Sequence, residues 1–151
     1  MLKLRTVKKQ LETFFKKNEY RYIYMNNKIK SLSIPVYLLG LNVISEDDEE
    51  EKSIGVIVSI FSSSHVICFE CLNLYSFEGV NSLDILNKIN IANNYSFPGK
   101  FALKDDNSIT YCCFMDYTYS EKLHNDVILS IINSILLAYF IFSDIVNNKE
   151  K

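Results

Sequence analysis

Four cysteines are the residues whose types and spacing come nearest to a chemical motif. Cys68 and Cys71 form a C-x-x-C sequence, and Cys112 and Cys113 are adjacent. Paired thiolates can bind zinc or cycle between dithiol and disulfide, provided that their sulfur atoms converge. Both pairs lie in stretches that alternate like β-strands, in which positions one or three apart point to opposite faces. The sequence therefore predicts apolar core thiols, and we expect no metal, no redox role and no cofactor.

The serine-rich segment 62–65 suggests a different chemistry, because it ends in His65, one of two histidines in the chain. A serine nucleophile needs a base that a third group holds within hydrogen-bond range. Adjacent turn residues do not supply that arrangement, and serine-rich turns are common. No pair of carboxylates stands apart from the acidic run at residues 46–51. We therefore interpret the protein as non-enzymatic, with no catalytic residue.

That run of six acidic residues, Glu46 to Glu51, is the densest charge in the chain. It could bind calcium, but calcium loops of the helix-loop-helix type arrange their oxygen ligands around an obligatory glycine. No glycine lies in the run. The run is therefore interpreted as a solvated loop between strands.

Basic residues gather at the N-terminal end of the chain. Residues 1–30 hold nine Lys and Arg against two acidic residues, a net charge of +7, whereas residues 31–151 carry −9. An apolar stripe predicts an amphipathic helix over residues 3–17, with basic residues on its other faces; the stripe is Leu4, Val7, Leu11 and Phe14, with Phe15 beside it. Its basic surface could bind nucleic acid or anionic lipid, or lie near the acidic run. Because no aromatic side chains interleave the lysines, a solvated helix is favoured.

Length and composition indicate one globular domain that spans residues 1–151. Of these residues, 48% are hydrophobic and 23% are charged, which are ordinary values. With four glycines in the chain, no glycine-rich phosphate site is expected. Charge interrupts the N-terminal sequence, which lacks the apolar core of a secretory signal, so a cytoplasmic protein is expected.

Four stretches in the first half have the alternation or composition of β-strands, namely Tyr20–Tyr24, Ile34–Val43, Ile54–Phe61 and Val66–Leu74. In the second of them, Pro35 and Gly40 weaken the strand pattern and indicate an edge or a bulge. The third is apolar on both faces. We therefore expect a central strand that helices cover on one side and a second subunit covers on the other.

Residues 81–114 predict a helix followed by a β-hairpin. Asn81 is a suitable N-cap, and Asp84 favours the positive end of the helix dipole. The positions at helical spacing are Leu83, Leu86, Ile89 and Asn93, flanked by Ile85 and Ala92. Pro98-Gly99 ends the helix, and two strand-like stretches then flank the turn residues 105–107.

Within this segment, the run LNKIN…GKFALKDDNSITY resembles the central signature of the YbjN-like domain family, whose fold is similar to that of the small type III secretion chaperones. The pattern is an apolar helix carrying L-N-x-[IL]-N, a short break, K-F, an acidic turn and an apolar strand. It is matched by Leu86, Asn87, Ile89, Asn90, Lys100, Phe101, Leu103, Asp105, Asp106 and Ile109. The order of elements fits over nearly the whole chain. The resemblance implies a chaperone- or adaptor-like role without catalytic residues.

The last predicted element is a helix that is apolar on nearly all sides. A T-x-x-E capping box at residues 118–121 predicts a start near residue 119 and a helix that runs to about Asn147. The uncharged stretch 127–143 permits a transmembrane span, but it is short and lacks flanking aromatic and basic belts. We favour a soluble helix and expect no membrane contact. The side not covered by its own sheet is predicted to be covered by a partner subunit, so that Leu129, Leu137 and Phe140 form a partner-binding or dimer surface.

The predicted order is α-β-β-β-α-β-β-α, an α+β domain with an antiparallel sheet of about five strands and three helices mostly on one face. Apolar helix and sheet surfaces without convergent titratable groups predict a non-enzymatic module that binds another protein and forms a homodimer. The alternative is a nucleic-acid-associated regulatory protein that uses the basic helix at residues 3–17. A membrane-anchored protein is a third, weaker hypothesis.

Overall fold

The computed structural model of the chain describes residues 1–29, 32–44, 51–76, 82–94, 98–104 and 108–147. The elements in these ranges are α1 (Leu4–Lys17), β1 (Arg21–Ile29), β2 (Leu32–Ile44), β3 (Glu51–Phe61), β4 (Val66–Ser76), α2 (Ser82–Asn93), β5 (Lys100–Leu103), β6 (Ser108–Asp116) and α3 (Asn125–Asn147). Most of the predicted acidic loop, the predicted cap at Asn81 and the predicted turn at 105–107 lie outside the described residues.

The described strands form one antiparallel sheet of six strands in the order β1-β2-β3-β4-β6-β5. The predicted α+β class, with three helices and an antiparallel sheet, is confirmed. The expected count of about five strands is wrong, because all four strand-like stretches of the first half form strands, whereas the predicted order counts three before α2. The predicted hairpin is present as β5 and β6, and it joins the sheet through β6.

β2 contains both residues that weaken its sequence pattern, yet it is a central strand. It lies between β1 and β3, and its pairing with β1 is continuous from Leu32 to Gly40. Pairing with β3 begins at Val36, so Pro35, which has no N–H, precedes the part of the strand that is paired on both sides. The predicted bulge is therefore absent and β2 as a whole is not an edge strand, although Pro35 itself lies where β2 pairs with β1 alone.

The sheet has one face under the helices and one face that the core does not reach. Alternate residues of a strand point to the same side, and every strand residue in the hydrophobic core belongs to one side, which we call the inner face. The other side is the open face. On β3, Val56, Val58 and Ile60 are fully buried on the inner face, whereas Ile57 and Phe61 on the open face are half-buried. Helices cover one side of β3, as predicted.

The predicted apolar stripe of α1 packs in the core, with Val7, Leu11, Phe14 and Phe15 buried. The Phe15 ring lies 5.4 Å from that of Tyr22 and 5.5 Å from that of Tyr37 on the inner face. The Tyr37 hydroxyl donates to Glu12 Oε1 at 2.8 Å. Burial, and then this bond to Glu12, raise the pKa of Tyr37. The polar atoms at the α1–sheet contact are therefore paired, as a buried hydroxyl requires.

α2 turns a different side to the core from the one predicted. Its buried residues are Ile85, Ile89 and Ala92, while Leu83 and Leu86 are exposed. Asn93 does not lie in the apolar stripe. Its Oδ1 accepts the Phe101 N–H at 2.8 Å, and its Nδ2 donates to the Phe101 carbonyl at 3.1 Å. The Asn93 amide thereby acts as a hydrogen-bond partner for the edge strand β5.

α3 begins at Asn125, and the predicted start near residue 119 is wrong. In a capping box the Thr118 N–H would donate to the Glu121 carboxylate, but it donates instead to Asp116 Oδ1 at 2.7 Å. The N–H of buried Leu123 donates to Gln10 Oε1 of α1 at 2.8 Å. These two bonds satisfy backbone groups outside a helix, so the helix starts after them.

Candidate partner-binding surfaces

The open face carries apolar side chains over most of its width. Ile23 of β1, Leu38 of β2 and Ile57 of β3 lie side by side in the strand register. Phe114 projects from β6 in the next row, where its pairing partner is Cys68. Ile23 is 62% exposed and Phe114 is 67% exposed. Contiguous apolar surface of this kind marks sites where proteins dock.

Two glycines form a groove in the open face. Gly40 of β2 and Gly55 of β3 are direct pairing partners, and the depression over them has a volume of about 350 Å³. A Cβ atom added at Gly40 would lie 3.7 Å from Ser53 Oγ, and one at Gly55 would lie 3.9 Å from Leu38 Cδ1. These are ordinary van der Waals distances, so packing within the chain does not require glycine at either position. The groove is therefore available to an incoming side chain.

The cysteines divide between the two faces. Cys68 and Cys71 point to opposite sides, as predicted, and so do Cys112 and Cys113. Cys71 and Cys113 belong to the hydrophobic core, as predicted, whereas Cys68 and Cys112 lie on the open face outside it. Glu70 of β4 pairs with Cys112, and Cys68 pairs with Phe114 two residues along β6. Cys68 and Cys112 are therefore diagonal neighbours, a proximity that depends on strand pairing and has no signal in local sequence.

The two faces give the cysteines different ionisation behaviour. Burial raises the pKa of Cys71 to about 12 and that of Cys113 to about 11. On the open face, a hydrogen bond from the Cys68 thiol is the main cause that lowers the pKa of Cys112 to about 7. The same bond, followed by burial, raises the pKa of Cys68. Cys112 is therefore the first of these thiols to become a thiolate.

The predicted partner-binding residues lie on the solvent side of α3. Leu129, Leu137 and Phe140 are 38%, 51% and 40% exposed. We call them, with Ser130 and Asn133 between them, the α3 stripe. Ser130 and Asn133 line a shallow depression of about 330 Å³ between Leu129 and Leu137. The stripe has the exposure that docking requires, and its role in binding stays a prediction.

α3 is also long and apolar enough to cross a membrane. Residues 125–144 have a mean hydropathy of 1.9, and 33% of the apolar window is buried inside the fold. Its buried side includes Ile128, Ile135 and Phe142. The Phe142 ring lies 5.2 Å from that of Phe101 in β5. Insertion of α3 into a membrane would therefore remove these side chains from the core of the domain.

α1 and β1 together form a basic surface that contains an aromatic ring. The Lys8 ammonium donates to the Tyr24 hydroxyl at 2.9 Å and lies 4.1 Å from the centre of the Tyr24 ring. The expectation that no aromatic side chain interleaves the lysines is therefore wrong for the folded surface, because β1 supplies one. A depression of about 610 Å³ beside them is lined by Leu4, Arg5, Lys8, Lys9 and Glu12.

His65 lies in the turn between β3 and β4 and does not face a serine nucleophile in the described part of the chain. Its ring packs 5.6 Å from that of Tyr117, and its carbonyl accepts the Tyr117 N–H at 2.9 Å. The Ser64 hydroxyl donates to the Phe61 carbonyl at 3.4 Å. Within the described ranges, no three His, Cys, Asp or Glu side chains are grouped so as to hold a metal ion.

Comparisons of the chain with protein-family models, with curated proteins and with solved structures found no match. The surfaces themselves differ in chemistry. The open face and the α3 stripe are apolar and lie on opposite sides of the domain, the α1–β1 surface is basic, and the Cys68–Cys112 pair lies within the open face. Sequence alternation indicated the open face on β3, but it did not identify Phe114 or the glycine groove.

Proposed function

We propose that this protein is a non-enzymatic protein-binding module, chaperone- or adaptor-like, that acts as a cytoplasmic homodimer. The observation that supports this most directly is the apolar open face of a sheet whose helices join the core through the other face. Apolar side chains such as Ile23 and Phe114 gain free energy when a partner removes them from water. A second copy of the chain is the occupant that we propose for the open face.

The size of the open face favours a second copy over a single peptide. With about 4.8 Å between strands and about 3.3 Å per residue, a face of six strands of mostly nine or more residues covers roughly 900 Å². A stable dimer buries about 800 Å² per partner, which is close to this area. An extended peptide would cover the width of one or two strands and leave the rest exposed.

The shape of the open face is also self-complementary. Phe114 projects from β6, the fifth strand in sheet order, and the Gly40–Gly55 groove lies between the second and third strands, two rows away. A two-fold axis that places Phe114 of each copy in the groove of the other crosses the strands diagonally. The two sheets then pack with their strands roughly at 90°, one of the two common arrangements for packed sheets.

The α3 stripe remains exposed in such a dimer, because α3 lies on the inner side of the sheet. We propose that Leu129, Leu137 and Phe140 receive the client protein. An adaptor needs one surface for its own assembly and another for its client, and these two surfaces meet that need. Because α3 contributes to the core through Phe142 and its neighbours, we propose a soluble rather than a membrane-bound protein.

The proposed function agrees with the resemblance to YbjN-like domains of secretion-chaperone-like fold. We propose that the chain belongs to that family. The element order agrees with the one implied by the resemblance except for the fourth strand before α2. Fold resemblance alone does not determine function. The client therefore has to be identified by experiment.

Multi-angle light scattering on purified protein tests the homodimer. We expect a dimer at micromolar concentration and a largely monomeric Phe114→Asp variant, since a charge would be buried at the centre of the interface. Ile91→Asp is the matched control, because Ile91 is an exposed apolar residue on α2, away from the open face. Wild-type protein that remains monomeric, or a Phe114→Asp variant that remains dimeric, contradicts the proposal.

The alternative function is binding of nucleic acid at the α1–β1 surface, which the Lys8–Tyr24 contact favours because stacking platforms accompany cations in single-strand binders. If Arg5, Lys8 and Lys9 each contact one phosphate, the affinity for a single-stranded oligonucleotide falls about 20-fold when salt rises fourfold. Fluorescence anisotropy at two salt concentrations measures this. Absence of binding at low salt excludes the alternative.

A further inference from the structure

The Cys68–Cys112 pair is the nucleophilic cluster on the open face. Cys112 is half-buried and Cys68 is buried, and none of the three described helices covers this side of β4 and β6. Glu70 pairs with Cys112 across the strands and forms an ion pair with Lys104. A sulfur atom at position 112 therefore has a thiol neighbour, an ion pair beside it and access to solvent in the free chain.

We propose that Cys112 is a thiol-modification site that reacts with low-molecular-weight disulfides, and that Cys68 is a positioning residue that donates a hydrogen bond to the Cys112 sulfur. This proposal does not depend on the homodimer. Reactive cysteines lie in partly exposed sites with donors or cations beside them, whereas buried thiols in apolar surroundings are inert. Cys112 has the first environment, and Cys71 and Cys113 have the second.

The charges near Cys112 come from two neighbouring elements. Glu70 on β4 opposes the thiolate, and Lys104 at the end of β5 favours it. Lys100 lies directly opposite Cys112 on β5, but its ammonium donates to the Asn93 carbonyl at 3.3 Å. The hydrogen bond from Cys68 exceeds these charges as the cause of the lowered Cys112 pKa of about 7. Near neutral pH a larger share of the Cys112 population is therefore the nucleophilic thiolate than for an ordinary cysteine.

The reaction is a single thiol–disulfide exchange. The Cys112 thiolate attacks one sulfur of a small disulfide RSSR, a bond forms between Cys112 Sγ and that sulfur, and the S–S bond of RSSR breaks. The leaving RS⁻ carries the electron pair of the broken bond and takes a proton from water. The small disulfide is thus the oxidant, and the product is a mixed disulfide at Cys112 with one released thiol.

The mixed disulfide is expected to persist. Diagonal neighbours on antiparallel strands have Cα atoms about 7–8 Å apart, beyond the usual limit of about 6.8 Å for a disulfide. Cys68 therefore cannot displace the adduct without movement of β4 or β6. The stoichiometry of thiol release distinguishes the two products, because a Cys68–Cys112 disulfide would release two thiols for each chain.

The test uses the aromatic disulfide 5,5′-dithiobis(2-nitrobenzoate), whose released thiol is coloured, on the native full-length chain at high dilution. We expect one fast equivalent for each chain, more than tenfold faster than any later phase, and an adduct at Cys112 by mass spectrometry. Cys112→Ser removes the fast phase. Cys113→Ser, the matched control on the inner face, retains it. A fast phase that survives Cys112→Ser, or two fast equivalents, overturns the proposal.

The pH dependence of the fast phase tests the role of Cys68. The rate rises with pH as Cys112 ionises, with a midpoint near 7. In Cys68→Ala, which leaves no donor at this position, the midpoint moves up towards the ordinary value for cysteine, about 8.5. At neutral pH the rate then falls about threefold, because the loss of thiolate exceeds the gain in intrinsic nucleophilicity. An unchanged midpoint in a folded Cys68→Ala protein contradicts the positioning role, since a merely structural role leaves the midpoint in place.

Discussion

The two faces of the sheet are made by the same strands and differ in what covers them. On the inner face, Val58 and Phe69 are paired, fully buried and part of one hydrophobic core with the helices. On the open face, Leu38 and Ile57 are paired but only half-buried. Apolar composition is therefore common to both faces. Coverage by the chain's own helices is what makes one of them a folding core.

The open face also contains polar groups that are paired with one another. Thr110 is buried on the open face, where its hydroxyl donates to the Cys71 carbonyl at 2.7 Å and approaches Glu70 Oε1 at 3.1 Å. Glu70 in turn pairs with Lys104. These groups are satisfied locally, so they do not need solvent. A surface that combines exposed apolar side chains with a satisfied polar centre resembles an interface more than a core.

The largest predicted effect is a difference in stability between a substitution on the inner face and one on the open face. Phe69→Ala removes a fully buried ring from the inner face and is expected to cost about 3–5 kcal/mol in the free energy of unfolding. Phe114→Ala, on the neighbouring strand but on the open face, is expected to cost less than about 1 kcal/mol. Urea denaturation at a concentration that keeps the chain monomeric measures both. Similar losses for the two variants would show that the open face is also part of the folding core.

Substitution of two glycines by alanine is expected to change the stability by intermediate amounts. A Cβ at Gly99 would meet the Cys112 carbonyl and would lie 2.6 Å from Cys113 Sγ. Gly99→Ala is therefore expected to destabilise the protein by about 2–3 kcal/mol, in the range for overpacking. Gly55→Ala meets no such contact, and alanine restricts the unfolded chain, so it is expected to stabilise by about 0.5 kcal/mol.

Thermal and urea unfolding of both glycine variants provide the measurement. Light scattering on Gly55→Leu extends it, because a larger side chain fills the groove without entering the core. A folded Gly55→Leu protein with unchanged self-association would show that the groove is not part of the dimer interface. Loss of stability in Gly55→Ala would instead show that glycine there serves the fold.

Periodicity in the sequence predicts the elements whose two sides differ clearly in polarity. The stripe of α1 is bounded by lysines, so its buried side follows directly from the sequence. α2 has apolar residues on more than one side, and periodicity does not distinguish the stripe of Leu83 and Leu86 from the buried residues Ile85 and Ala92. Contact with β5 and α3 determines the orientation of α2, and no local pattern contains that contact.

The candidate sites depend still more on information that is not local. Cys68 and Cys112 are separated by 44 positions in the sequence, and the pairing of β4 with β6 makes them neighbours. The start of α3 likewise depends on the bond between Leu123 and Gln10 of α1. Local sequence patterns therefore do not identify residues whose contacts depend on strand register or on a side chain of another element. The open face was anticipated because β3 shows apolar residues on both faces within its own sequence.

The smallest effect concerns the ion pair on the open face. Lys104→Gln is expected to change the free energy of unfolding by less than about 1 kcal/mol, because the Lys104 side chain is 41% exposed and water screens its charge. It should raise the pH midpoint of Cys112 reactivity, since the thiolate loses a nearby cation while Glu70 remains. This rise should be smaller than in Cys68→Ala, because the hydrogen bond is the larger cause of the lowered pKa. Lys100→Gln is the control, as the Lys100 ammonium bonds to Asn93. If Lys100→Gln moves the midpoint as far as Lys104→Gln, general surface charge, and not the Glu70–Lys104 pair, controls the thiol.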